Sequence, residues 1–412
     1  TDVTALINEK SDLDERVKYL EMILSNEKEL LKVIKGELRD IKNAIGKPRL
    51  SVIEEEVAEL KVDETHLIPK EDVMCCVTKD GYIKRSSIKS FQASVKNGIK
   101  EGDAVIYSGM VNTLDTLLVF TSQGNYFYIP VYKLTDVKWK DLGDHLSSIS
   151  SLDKGKNERV ISVMVVSDFN QTINMLFCTK EGLIKQVLLK DLEVSRYSKS
   201  VRYMKLTDGD EVVSVDSSYN PLEVMVVTHN AEVLRFRASE VSVYGTNASG
   251  IKAMLVKPND YVVSAFFTNQ TEDVLFFTSR SHIKRMKVSE FILSRRARAG
   301  SVAIKMIKAN PHYIVDAKPL TPTQYRENVK ANLLYTNGNL YVDTYQFKYN
   351  STDAGKPVEK TPELAEPYMM FIDKATAKEP IISGESLVEV KPVQTTIFDS
   401  SIEGTKSEEI SI

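Results

Sequence analysis

One hairpin pattern recurs six times in this chain, at a spacing of about 50 residues, and it limits the fold more than any other feature. The first copy reads Val73-Met74-Cys75-Cys76-Val77-Thr78-Lys79-Asp80-Gly81-Tyr82-Ile83-Lys84-Arg85. Further copies occupy 117–127, 175–185, 224–235 and 274–285, and a shorter one occupies 332–341. Each is an apolar run, a threonine, a tight turn and a second strand, which predicts a β-hairpin. An apolar run without polar alternation predicts burial on both faces. The spacing fits propeller blades rather than helical solenoids. About six such units can close radially and shelter their own sheet edges. The fold predicted for 73–350 is therefore mainly β, a propeller-like disc whose turn threonines and glycines are structural.

The first 50 residues carry another period. Leu13, Val17, Leu20 and Leu24, then Leu31, Ile34, Leu38, Ile41 and Ile45, fall at alternating steps of four and three. That spacing predicts two helices, each with an apolar face. Asn26 with Glu29 predicts a capping pair at the start of the second. Gly46 is expected to end it in a left-handed cap, ahead of Pro48. The chain thus divides into a helical arm (1–48), an acidic helix near 54–60 with a linker (49–72), the sheet region, and an acidic tail (351–412) with room for a closing strand. The first residue is Thr1, so the chain reads as a piece of something longer.

A formal charge of −3 conceals a division. Residues 1–72 carry roughly −6, 73–350 roughly +9 and 351–412 roughly −6, and a basic centre invites a polyanion. Four hairpins place cations near the start of the second strand: Lys84-Arg85, Lys185, Arg235 with Arg237, and Lys284-Arg285. Repeated at one blade position, these predict a basic rim facing phosphates. A second group lies in the loops beyond the hairpins: Arg196, Lys199 and Arg202, then Lys252, then Arg295, Arg296, Arg298, Lys305 and Lys308. Lys96 and Lys100 follow the first hairpin, where Asn97-Gly98 reads as a tight turn and Glu101 and Asp103 would repel a phosphate. Nothing supplies an ordered set of base-edge readers, so phosphate contacts with little sequence preference are expected.

No catalytic constellation stands out. There is no Walker-type loop, paired-histidine metal motif or Gly-x-Ser-x-Gly elbow. The 5 histidines form no spaced cluster, and Cys75, Cys76 and Cys178 sit in strand-like runs as expected of buried, reduced thiols. Tyr197, beside Arg196, reads as a surface or packing residue.

The stretch Glu71-Asp72-Val73 through Gly81-Tyr82-Ile83-Lys84-Arg85 resembles the first blade in the C-terminal domain of bacterial type IIA topoisomerase A subunits. Glu232-Val233-Leu234-Arg235 and Arg295-Arg296-Ala297-Arg298-Ala299-Gly300 are similar to other blades of that family. Leu30-Leu31-Lys32-Val33-Ile34-Lys35-Gly36-Glu37-Leu38 resembles the exit of its coiled-coil arm. The resemblance implies a six-bladed β-pinwheel, with strands exchanged between blades, after an α-helical coiled-coil segment. It implies binding of duplex DNA, largely independent of sequence, within an ATP-driven tetramer of two A and two ATPase B subunits. The cleavage tyrosine, the ATP site and the magnesium site would lie outside this chain, which alone would hold no cofactor. The setting implied is the bacterial cytoplasm, at the nucleoid and without a membrane. Gyrase A subunits carry Gln-Arg-Arg-Gly-Gly-Lys-Gly after the first hairpin, whereas this chain has Ser94-Val95-Lys96-Asn97-Gly98-Ile99-Lys100. That departure favours the topoisomerase IV branch, with docking for decatenation and relaxation, over a gyrase-type wrapping domain. A protein-binding propeller scaffold is the remaining alternative, and it would call for an apolar or mixed-charge rim.

Overall fold

The computed structural model describes residues 3–47, 67–149, 158–349 and 353–377, with the backbone alone at 381–383 and 386–388. The acidic helix expected near 54–60 and the end of the tail lie outside the described residues. The chain forms two units, 1–63 and 64–412.

In the first unit, α1 (Val3–Ser25) and α2 (Glu27–Ile45) flank Asn26. The Asn26 side chain accepts from the Lys28 N–H at 3.0 Å, filling one orphan donor at the start of α2. Glu29 does not complete a capping box, because its carboxylate pairs with Lys32 at 2.7 Å. Gly46 ends α2 at φ −62° and ψ 127°, not in the left-handed cap expected; its N–H bonds the Lys42 carbonyl from extended backbone. The apolar stripes at Leu13–Leu24 and Leu31–Ile45 are exposed, and Ile23 is the buried apolar residue of the pair.

The second unit is built from six segments of like order. The first is β1 (Asp72–Thr78), β2 (Tyr82–Ser87), α3 (Ile88–Gln92) and β3 (Val105–Asn112). The second is β4 (Thr116–Thr121), β5 (Asn125–Pro130), β6 (Asp144–His145) and β7 (Val160–Val166). The third is β8 (Asn174–Thr179), β9 (Leu183–Leu188), β10 (Val201–Arg202) and β11 (Val212–Ser218). The fourth is β12 (Glu223–Thr228), β13 (Glu232–Arg237), β14 (Ile251–Lys252) and β15 (Val262–Thr268). The fifth is β16 (Asp273–Thr278), β17 (His282–Lys287), β18 (Leu293–Ser294) with β19 (Ser301–Val302), and β20 (Ile314–Leu320). The sixth is β21 (Lys330–Tyr335), β22 (Gly338–Asp343), β23 (Lys356–Pro357) and β24 (Pro367–Ile372).

Blades and segments do not coincide. The short strand of each segment pairs with the hairpin of the segment before it: β6 on β2, β10 on β5, β14 on β9, β18 and β19 on β13, and β23 on β17. The result is a six-bladed, propeller-like β-pinwheel with strands exchanged between neighbours. The glycines before four of these strands explain how they fit. Gly143, Gly250, Gly300 and Gly355 each lie so close to the carbonyl of the covered strand that an added Cβ would fall within 3.0 Å of it.

The apolar first strand of each hairpin lies inside its sheet and is buried from its second residue on. Its threonine holds the turn: Thr78, Thr179, Thr228 and Thr278 each accept the N–H four residues on at 3.1 Å. The last strand of each segment (β3, β7, β11, β15, β20 and β24) faces a central cavity of about 1150 Å³, lined among others by Tyr107, Met164, Asp216, Phe266, Lys318 and Phe371. The sixth blade closes on the first. Asn339 accepts from the Val105 N–H at 2.6 Å and returns a bond to its carbonyl at 2.8 Å, and Leu334 joins the core of blades one and two. The inner strand of this last blade, β24, falls within the stretch read as an acidic tail, so the sheet runs past 350.

Cys75 and Cys76 enter different cores, as strand alternation requires. Burial pushes the Cys75 thiol up to about 12 and raises Cys76 and Cys178 as well. At pH 8 the native chain should therefore leave all 3 cysteines unreacted with a disulfide reagent, and denaturant should release all of them. Prompt labelling of the native chain would contradict this packing.

Candidate nucleic-acid interface

The cations that start the second strands are not on a rim. Lys84 is 2% exposed, Lys185 0%, Arg235 5%, Lys284 2% and Arg285 4%, and Arg85 is half-buried. Their position explains this. The second strand is covered by chain arriving from the next segment, and that chain presents backbone carbonyls with no strand partner. A long cation reaching sideways satisfies several of them at once.

Lys84 Nζ donates to the carbonyls of Gly98, Trp139 and Asp141 at 2.6–2.7 Å. Lys185 Nζ donates to Gly245, Thr246 and Ala248 at 3.0 Å, and Lys284 Nζ to Ala303 at 2.9 Å. Burial draws the Lys185 ammonium down to about 8 and lowers Lys84 and Lys284 too. One residue on, a second donor grips the 3-10 turn of the next segment. Arg85 bonds the carbonyls of Val131 and Tyr132, Arg235 those of Val288 and Phe291, and Arg285 that of Phe347. Gln186, uncharged, does the same for Ala238 and Val241 at 2.9 Å. Arg235 and Arg285 are neutralised by Glu223 and Asp273. The repeated cation of the sequence is thus an inter-blade staple, and these six residues are withdrawn as phosphate ligands because they are buried or half-buried and turned onto carbonyls of the protein.

The second group fares differently. Arg196, Lys199 and Arg202 are exposed on the approach to β10 and on it, Lys252 on β14, and Arg295, Arg298, Lys305 and Lys308 around β19. These are the exchanged strands, the outermost of blades two, three and four, so the cations follow one another along the perimeter.

The basic loop before β19 shows how folding sorts them. Ala297 sits in the left-handed region at φ 60°, with its N–H on the Ala253 carbonyl, and the Arg298 carbonyl takes the Leu255 N–H at 2.8 Å. The loop is thereby pinned to blade three. Arg296 turns inward, its N–H 2.9 Å from Glu240 Oε2 and its guanidinium on the Glu240 and Lys252 carbonyls, which removes it from the candidates. Arg295 and Arg298 point out. Arg237 is exposed at the end of β13.

Lys287 and Lys205 are exposed cations at equivalent places that sequence reasoning missed. Lys287 occupies the register of Arg237, opposite the first residue of its partner strand, and Lys205 lies three residues past β10 as Lys305 lies three past β19. Aligning the second hairpin strands would have found Lys287, and aligning the short strands β10 and β19 would have matched Lys205 with Lys305.

The loop after β2 is less open than it reads. Lys96 and Lys100 are both exposed, and Lys100 forms a surface pair with Asp80 at 3.5 Å. Asn97-Gly98 is no tight turn: the Gly98 N–H bonds the Trp139 carbonyl, laying the segment on its own blade. Asp103 is buried and accepts from the N–H groups of Asp80 and Ala104, so it does not face solvent. Tyr197 is half-buried and stacked on Tyr128 with centroids 5.6 Å apart. No group of three or more metal-ligating side chains occurs among the described residues. Nor is any helix among them long and apolar enough to cross a membrane.

The family model described as "DNA gyrase C-terminal domain, beta-propeller" matches residues 72–106, 115–167, 174–218, 222–269 and 272–321. The A subunit of DNA topoisomerase 4 from Bacillus subtilis (strain 168) is 36% identical over 363 residues, which cover 83% of this chain and 44% of that protein. Its counterpart from Staphylococcus aureus is 37% identical over 363 residues, covering 84% of this chain and 45% of that one. The chain therefore spans under half the length of these curated relatives. A crystal structure of the C-terminal domain of DNA topoisomerase IV superposes with a TM-score of 0.64 at 34% identity, over 75% of this chain and 95% of that one. The C-terminal domain of DNA gyrase A gives 0.57 at 18% identity, over 73% and 99%, a likeness of fold.

Proposed function

The chain belongs to the type IIA topoisomerase A-subunit family, over its DNA gyrase C-terminal β-propeller domain, and we propose that it docks duplex DNA for a topoisomerase IV. The observation that carries this reading is the run of exposed cations on exchanged strands, from Arg196 through Arg202 and Lys252 to Arg298 and Lys305. A duplex lying along that perimeter presents phosphates at the spacing of a polyanion, and such contacts position DNA without reading its sequence. The full-length enzyme would pair this polypeptide with a second copy and with an ATPase subunit, in the bacterial cytoplasm. It would use ATP and magnesium at sites elsewhere and act in decatenation and relaxation.

Bending duplex around a disc costs several kcal/mol for a large bend of a short site, by roughly elastic estimates. The loop at 94–100 offers little to offset it, since Lys100 is engaged with Asp80 and Gly98 is bonded to its own blade. The domain is therefore read as a docking surface that tolerates a bent segment and does not drive a handed wrap. Two measurements test this. Affinity of the chain for a short duplex should fall steeply with salt and change little with sequence; binding indifferent to salt ends the phosphate reading. The reconstituted enzyme, given ATP and relaxed plasmid, should decatenate without introducing negative supercoils; robust negative supercoiling restores the wrapping alternative.

A further inference from the structure

Among the described residues, five of the six blades have their second hairpin strand covered, and the sixth does not. Among the described residues the last sheet runs β22-β21-β24, and no strand pairs with the outer edge of β22. The reason is topological. Each cover comes from the following segment, and the segment that follows around the ring is the first, whose stretch after β2 forms α3 and a loop held to blade one. The staple positions agree. Where other blades hold Lys84 and Arg85, or Lys284 and Arg285, β22 has Leu340 and Tyr341, the latter 52% exposed. Its six residues pair with β21 in unbroken register and include neither lysine nor proline, the residues that commonly guard an edge.

The chain itself is delivered to this edge. After β24, the Thr376 and Ala377 N–H groups bond the Glu327 carboxylate at 2.7 and 2.9 Å. Two residues past Glu327, the Val329 carbonyl takes the Thr344 N–H, immediately beyond the end of β22. Residue 377 is thus a short loop from Asp343. The sequence continues to Ile412 and contains Val393-Gln394-Thr395-Thr396-Ile397-Phe398, a run as long as β22 and rich in β-branched residues. Residues 381–383 and 386–388 pair with each other as a short hairpin, and the rest of 378–392 still spans on the order of 20 Å at about 3.3 Å per residue. In every other blade the cover also lies later in the chain than the strand it covers.

We propose that the outer edge of β22 is a strand-acceptor site, filled by residues 393–398 of the same chain by β-strand addition. This goes beyond DNA docking and is tested without DNA. Hydrogen exchange is followed at the β22 amides in three forms: the full chain, its Thr396→Pro variant, and the chain ended after Ala377. The full chain should show β22 exchange slower by on the order of tenfold or more than either variant, at a rate independent of protein concentration. A peptide of residues 389–402, added to the shortened chain, should restore the protection. The β21 amides report whether the blade itself stays folded, and the peptide arm, carrying no substitution, decides if Thr396→Pro disturbs it. Equal β22 exchange in all three forms overturns the proposal. So does protection that rises with protein concentration, which would assign the edge to a second copy. Protection lost on shortening but kept in Thr396→Pro, with no response to the peptide, also overturns it.

Discussion

Replacing Arg285 with methionine should cost the propeller about 3–5 kcal/mol, the range for breaking a buried ion pair from one side. Three contacts disappear together. Arg285 holds Asp273 through Nε and Nη2 at 2.8 and 2.5 Å, donates to the Phe347 carbonyl at 3.1 Å, and lies between the rings of Tyr325 and Tyr349 at 3.6 and 4.2 Å. The substitution leaves a buried carboxylate with its charge unbalanced, bonded to the Tyr349 hydroxyl. Adding Asp273→Leu should recover much of the loss, because the orphaned charge goes with it. Gln186→Leu, at the equivalent place in blade three, removes neutral donors from two carbonyls and should cost less, about 1–3 kcal/mol. Denaturant midpoints check the order, and hydrogen exchange should show the loss centred on blades five and six. A neutral Arg285→Met would mean that the repeated cation is not a staple.

The same residues show what a sequence can and cannot convey here. The six hairpins were legible because a strand buried on both faces leaves an unbroken apolar run, and because turns need residues such as Thr78 and Gly81. The cap at Asn26 was legible for a similar reason, since one side chain bonds a donor two residues away. Lys84 and Lys185 were misplaced because a lysine in a strand reads the same whether its ammonium meets water or three carbonyls. All of those carbonyls but that of Gly98 lie 55–63 residues away, on chain that folds over from the next segment. The exchanged strands pair over two residues each, too short for any period, so 251–252 looks like loop. The sorting of Arg295, Arg296 and Arg298 depends on one left-handed alanine that no spacing predicts. β24 lies in a stretch whose composition reads as tail with room for a closing strand, but nothing in that composition places the strand at 367–372.

Reversing Arg295, Arg298 and Lys305 to glutamate together should weaken duplex binding about a hundredfold or more at moderate salt, since three phosphate contacts become repulsive. Loss of three contacts should also flatten the dependence of log affinity on log salt by about 2.7. Both effects should appear without loss of stability, because none of the three side chains donates to another blade in the way Arg296 does. Staple variants should do the opposite. A weakened Arg285→Met disc should lose affinity only as far as it unfolds, and keep the full salt slope in its folded fraction. The two classes are thus separated by slope as well as by strength. In the reconstituted enzyme the triple reversal should suppress decatenation while cleavage of a short duplex persists, because cleavage needs only the segment at the catalytic domain. If the triple variant binds and decatenates as the parent does, the perimeter of blades two to four is not where the duplex lies.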